Sequence, residues 1–181
     1  AFSSILPGLS KEDILEVTAI HSIVGILEDS LVTETPFRSP HSTSSYVSVI
    51  GGGTFPKPGE VTLAHKGVLF LDEFPEFDRR VLESLRQPLE DRVVNIARAR
   101  GSATYPTNFI LIAAMNPPPV NASAAEIVRY RKKISGPIMD RIDMWVNVVN
   151  IDYDKLGSKE REGELSENIK KRVVNARDKQ K

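Results

Sequence analysis

An α/β fold with a parallel sheet flanked by helices is the class this sequence predicts, on three observations. Val68 to Leu71 form a four-residue apolar run without alternation, as expected of a strand covered on both faces. A second continuous run, "FILIAAMNPPP", closes on Asn116 and three prolines. Between them, "FDRRVLESLRQPLEDR" sets Val81, Leu82, Leu85 and Leu89 on one helical face, with Asp78 as the cap and Pro88 bending or ending the helix. Strand followed by helix is half of a βαβ unit.

The bulk composition fits that class. The chain has 181 residues, 40% of them hydrophobic, enough for one domain with a continuous core, which excludes disordered and collagen-like classes. Twenty-four basic residues balance twenty-four acidic ones, so net charge alone would not hold a nucleic acid, and local basic patches stay open. Without cysteine there is neither a disulfide framework nor a thiolate metal site. His21, His41 and His65 lack the short spacing of a zinc pair and read as packing or surface histidines. "AFSSILPGLS" has no basic lead and too short an apolar run for a signal peptide, and no segment approaches about 20 apolar residues. A cytoplasmic protein with no membrane partner is expected.

The remaining elements follow in order. "LSKEDILEVTAIHSIVGIL" brings Ile14, Leu15, Val17 and Ile20 near helical spacing behind a Ser10 cap, with acids in the first turn. The Pro-, Gly- and Ser-rich stretch from Thr33 to Gly67 predicts only short strands or turns, and a loop so long is usually functional. "VVNIARARGSATYPTNF" reads as a β-hairpin turning at Gly101. "SAAEIVRYRKKISG" carries a Ser123–Glu126 capping box and predicts a helix to Gly136. "PIMDRIDMWVNVV" predicts a helical turn and a third strand. The charged tail holds Leu165, Ile169, Val173 and Val174 at roughly helical spacing, a linker and then one helix.

The run at 68–71 ends in adjacent carboxylates, Asp72 and Glu73. Desolvating carboxylates is costly unless a cation or donors compensate. An apolar strand ending in Asp-Glu can hold one carboxylate against magnesium and another near a water aimed at a phosphate. Alone the pattern is weak, since strands often end in solvated acids. Asn116, closing the second buried strand, would share the ligand-binding edge of a parallel sheet and could orient the water or touch a phosphate oxygen. Arg141, between Asp140 and Ile142, is suited to stabilising transferred charge; its competing reading is an ion pair with Asp140 or Asp143.

Taken together, "PFRSPHSTSSYVSVIGGGTFPKPGEVTLAHKGVLFLDEFPEFDRRVLESLRQPLEDRVVNIARARGSATYPTNFILIAAMNP" and "RYRKKISGPIMDRIDMWVNV" closely resemble the magnesium-chelatase-like AAA+ ATPases of the ComM/YifB type, over almost the whole chain. The resemblance implies an AAA+ P-loop NTPase core with a β-hairpin insertion. It implies that Asp72 supports Mg2+ and Glu73 polarises the hydrolytic water in a Walker B strand. Asn116 resembles the sensor-1 residue and Arg141 the arginine finger that reaches a neighbouring subunit's nucleotide. "VVNIARARGSATYP" resembles the pre-sensor hairpin that faces a central pore. Arg98 and Arg100, near its tip, become candidate DNA-backbone contacts, with solvated hairpin charges as the equal alternative. ATP and Mg2+ are the implied cofactors, and a homo-oligomeric, hexameric ring the implied assembly.

Two departures from the family pattern stand out. No GxxxxGK[ST] phosphate loop occurs, and "IGGGTFPKPGE" cannot replace it because Lys57 lies between prolines and opens no helix. Ala1 to Leu6 resemble the end of the helix that follows that loop, so the Walker A strand and loop are read as missing. Residues 1–157 are then expected to be the ATPase core, and 158–181 a linker and the start of a helical lid whose sensor 2 stays unassigned. The second departure is the direct passage from Asn116 into "PPPVNASAAE", where relatives carry a cysteine-rich insertion. The expected function is a fragment of an ATP-dependent motor acting on DNA in recombination or competence. A chelatase-type motor with a partner subunit, inserting magnesium into a porphyrin, and a non-enzymatic interaction module stay open as alternatives. A stand-alone enzyme using Asp72 and Glu73 as an acid–base pair is disfavoured, because adjacent strand residues point to opposite faces.

Overall fold

A computed structural model describes residues 2–27, 30–99, 101–118, 121–148 and 163–180. They belong to two compact units, one of residues 8–141 and one of residues 1–7 with 142–181.

The larger unit is built on a parallel sheet. Strand β1 is Phe37–Arg38, β4 is Val68–Leu71 and β7 is Ile110–Ala113, in the order β1-β4-β7. The register pairs Phe37 with Val68 and Leu71 with Ala113, so the three strands end along one edge. Val68, Leu69 and Leu71 are fully buried, as the unalternating apolar run predicts for a strand covered on both faces. Stacked rings of Phe37 and Phe70, 6.1 Å apart, tie β1 to β4.

Helices pack around this sheet. Helix α1, Lys11–Val24, starts at a full capping box between Ser10 and Asp13 and stops at Gly25, whose φ of 77° lets its N–H reach the last carbonyls. It buries Val17 and Ile20, whereas Leu15 is 64% exposed and lies off the packed face. The long 33–67 segment contains two four-residue helices, α2 Tyr46–Val49 and α3 Glu60–Leu63, as well as β1. Single turns this short leave no readable periodicity, and tertiary packing of Val49, Val61 and Leu63 holds them. After β4 come α4, Arg79–Ser84, and α5, Arg86–Asp91, separated at Leu85. Pro88 accounts for the break: it has no N–H for the Ser84 carbonyl, and its ring crowds that turn.

Two antiparallel hairpins complete the unit. One joins β2, Gly51–Gly52, to β3, Lys57–Pro58; the other joins β5, Val93–Arg98, to β6, Gly101–Pro106. The second is the predicted hairpin, with Gly101 at φ 146°. Helix α6 is Ala124–Arg131, with the predicted Ser123–Glu126 capping box, but it ends well before Gly136; a separate turn, α7 Gly136–Met139, follows.

The third strand predicted after Asp140 does not form: residues 142–148 carry no strand. A strand exists only by pairing, and among the described residues nothing pairs there. Met144, Val146 and Val148 are accordingly 82%, 81% and 89% exposed. The sheet's third strand is Phe37–Arg38 instead. In the smaller unit, a 3-10 turn at Ser3–Ile5 packs against the C-terminal helix Ser166–Gln180, which occupies the tail where helical spacing is legible.

Candidate functional site

The ends of β1, β4 and β7 meet at one edge. Asp72 and Glu73 are not strand residues: β4 stops at Leu71, and both acids are exposed in the turn beyond it. They therefore escape the desolvation that a carboxylate inside a strand would suffer, and strand alternation does not decide where they point. Glu73 has φ 50° and ψ 43°, the left-handed region. A non-glycine residue held there costs on the order of 1 kcal/mol and persists where surrounding structure enforces it.

Several contacts enforce it. The Asp72 carboxylate accepts the Glu73 N–H through Oδ1 at 2.8 Å. Ala114, one residue past β7, donates its N–H to the Leu71 carbonyl and accepts the Phe74 N–H, each at 2.9 Å, so one residue brackets the acid pair. Phe74 is buried behind the turn and anchors it. From the loop after β1, the Ser42 hydroxyl donates to Glu73 Oε2 at 3.4 Å. Beyond the turn, Lys133 pairs with Glu76 at 2.6 Å and stands 5.9 Å from the Tyr130 ring, fastening the end of α6 to the same region.

The predicted residues fall unequally around this edge. Asp72, Glu73 and the segment leading to Asn116 come together. Asn116 is exposed, and its carbonyl accepts a hydrogen bond from the Tyr130 hydroxyl. Arg141 pairs with Glu90 of α5, not with Asp140 or Asp143, and also donates to the Pro137 carbonyl at 3.3 Å. Arg98 is exposed at the end of β5; Arg100 lies outside the described residues. Sequence reasoning missed Ser42, whose signal is the polar run "HSTSS" directly after β1. It also missed Glu90 as the partner of Arg141, because only the fold brings α5 beside α7.

The charge pairs around the sheet are structural. Arg38 on β1 makes a two-point contact with Glu60 at the start of α3, at 2.6 and 2.8 Å, and this carboxylate raises its pKa. At the opposite end of β4, His65 Nδ1 accepts the Asn108 N–H at 3.0 Å, so the proton of the neutral ring sits on Nε2, 3.3 Å from Glu16 and without good hydrogen-bond alignment. Burial pushes the His65 pKa down.

The donor set suits magnesium. Among the described residues no group of three or more His, Cys, Asp or Glu side chains could cage a metal, and Asp72 stands open to solvent. Mg2+ commonly takes one or two carboxylates together with phosphates and waters.

A parallel α/β sheet flanked by helices, with a hairpin inserted before the strand beside the acid turn, is an AAA+ ATPase core. The profile of the family described as magnesium chelatase, subunit ChlI, matches residues 1–156, and the chain belongs to that family. It is 42% identical, over an alignment of 187 residues, to the uncharacterized protein YifB of Salmonella typhimurium, covering 98% of this chain and 37% of that protein. It is 38% identical over 185 residues to the competence protein ComM of Haemophilus influenzae, covering 97% and 36%. A lower similarity, 29% over 100 residues, links 52% of this chain to 12% of the DNA replication licensing factor Mcm6 of Drosophila melanogaster. The chain thus spans little more than a third of the length of YifB and ComM.

Proposed function

We propose that the intact protein carrying this chain is an ATP-hydrolysing motor and that the edge at 72–73 is its hydrolytic site. The observation that carries the reading is the convergence of an exposed Asp-Glu turn, the Ser42 hydroxyl and the Ala114 peptide at one edge of a parallel sheet, the place where open α/β folds bind ligands. Asp72 would hold Mg2+, which when bound would neutralise charge on the nucleotide's phosphates. Glu73 accepts a hydrogen bond from the attacking water and orients it. Ser42 fixes the rotation of that carboxylate. Asn116 touches the γ-phosphate or the same water. The phosphate cradle comes from residues outside this chain, since no GxxxxGK[ST] occurs in it.

Assembly into a ring is part of the proposal. Arg141 exchanges its intrachain partner Glu90 for a phosphate on the neighbouring subunit, so the ion pair is its resting contact. Residues 158–181 are a linker and the start of a helical lid, supported by the helix Ser166–Gln180. DNA is the polymer acted on, supported by relatives named for competence and for DNA replication licensing and by the exposed hairpin bearing Arg98. No helix among the described residues is long and apolar enough to cross a membrane, and we propose a cytoplasmic location. The family's description as a magnesium chelatase subunit favours a second reading, a motor driving a chelatase partner. The test is Glu73→Gln in the full-length protein. We expect ATP binding to persist and turnover to fall by about 100-fold or more; unchanged turnover would refute the site. DNA-stimulated ATPase separates the first reading from stimulation by a chelatase subunit.

A further inference from the structure

We infer that Tyr130 and Lys133, at the end of α6, are positioning residues of the proposed hydrolytic edge, which together hold the Asn116 arm and the Glu73 arm at a fixed separation. The inference rests on the hydrolytic reading above and adds what keeps its two arms in place.

The arms leave different strands and are gripped by a single turn of chain. Past β7, the Asn116 carbonyl is followed in sequence by three prolines, Pro117 to Pro119, which stiffen the segment and supply no N–H to bond it. The donor comes from α6: the Tyr130 hydroxyl donates to that carbonyl. Past β4, the Glu76 N–H donates to the Glu73 carbonyl at 2.7 Å, and the Glu76 carboxylate accepts from Lys133 Nζ at 2.6 Å. The Lys133 N–H in turn donates to the Tyr130 carbonyl at 3.1 Å, so both side chains leave one turn, with Nζ 5.9 Å from the centroid of the Tyr130 ring. Ile134, the next residue, is buried and Ile138 fully so, which anchors this turn in the core. One post therefore holds Asn116 directly and Glu73 through Glu76.

Stability does not account for these contacts. The Lys133 and Glu76 side chains are 39% and 55% exposed, and an ion pair so open to water contributes little to stability. Asn116 is exposed as well, so its carbonyl could turn to water at small cost. What the contacts fix is geometry. A group that touches a phosphate and a group that aims a water act together only while shifts of about 1 Å are prevented. Burial raises the Tyr130 pKa above its ordinary value, against a smaller opposing pull from Lys133, so the phenol remains a donor at neutral pH.

The test measures ATP hydrolysis and urea unfolding of the full-length protein. Tyr130→Phe removes one oxygen and keeps the ring. Its kcat is expected to fall roughly fivefold, the equivalent of one hydrogen bond, with the KM for ATP and the urea midpoint unchanged. Lys133→Glu sets two carboxylates against each other and should lower kcat by about tenfold; adding Glu76→Lys to it should restore turnover. Wild-type kcat in Tyr130→Phe, no recovery in the charge-reversed double variant, or a fall in kcat matched by a lowered urea midpoint overturns the positioning role. Glu73→Gln in the same assay separates the two readings. If it abolishes turnover while Tyr130→Phe and Lys133→Glu leave kcat intact, this inference alone fails; if it leaves turnover intact, the hydrolytic reading fails and this inference with it.

Discussion

Gly67 sits where the chain leaves α3 for β4, and replacing it with alanine tests the packing that positions the proposed hydrolytic edge. An added Cβ would overlap the Pro36 carbonyl oxygen and lie 2.8 Å from its carbon, both backbone atoms that cannot swing aside. That same oxygen accepts the Val68 N–H at 2.9 Å, the bond that begins the β1–β4 pairing. Relief of the overlap therefore breaks a buried hydrogen bond, costing about 1–3 kcal/mol, and disturbs the Phe37–Phe70 stack, about 0.5–1.5 kcal/mol. The expected loss is about 2–4 kcal/mol, a large share of the roughly 5–15 kcal/mol that holds a domain together. With a urea slope of about 2 kcal/mol/M, the unfolding midpoint should drop by about 1–2 M. Gly8→Ala is the control, because a Cβ there meets nothing within 4 Å. A Gly67→Ala midpoint equal to that of the control, with equal slopes, would refute the reasoning.

Four further outcomes follow from the contacts described above. Ser42→Ala removes the hydroxyl that touches Glu73; turnover by the full-length protein should fall several-fold, the equivalent of about 1 kcal/mol, with ATP affinity unchanged, and an unaltered kcat would remove Ser42 from the site. Burial holds His65 and His21 below the ordinary value of 6.5, so the unfolded chain binds more protons than the folded one as pH falls past that value. Stability is then retained above about pH 6.5 and lost below it, by at most about 1.4 kcal/mol per pH unit for each histidine, and urea midpoints flat from about pH 7.5 to 5 would contradict this. Arg141 and Glu90 form a half-exposed pair, so Glu90→Gln should change stability by less than about 1 kcal/mol. Arg141→Ala should abolish turnover in the assembled protein; turnover kept by Arg141→Ala rules out the finger role.

Much of this was legible in the sequence where local physics decides. The run at 68–71 is apolar because sheet and helices cover it, whereas the run at 110–113 forms the predicted strand but leaves Ile110 42% exposed, and capping residues Ser10 and Ser123 announce their helices. The acid pair was legible as a candidate site but was placed on the strand, since a strand's last hydrogen bond cannot be read from hydropathy and Glu73 takes a left-handed turn. Phe37–Arg38 was illegible as a strand: two residues carry no period, and only pairing with β4 makes them one. The reverse failure is "MWVNVV", whose composition favours a strand but which has no paired neighbour among the described residues. Arg141 shows the same limit for charge, because Asp140 and Asp143 are adjacent in sequence while Glu90 is adjacent in space.

The double tie at Ala114 has a mechanical consequence. Its N–H is fixed to the carbonyl before Asp72 and its C=O to the amide after Glu73, and the chain reaches Asn116 two residues later. In the proposed reading, the group that feels the phosphate and the group that aims the water are tied to one residue through two hydrogen bonds. Shifting that residue moves both, so the site has one setting to adjust and not two. Detecting the nucleotide and committing to cleave it would then be a single motion of the backbone.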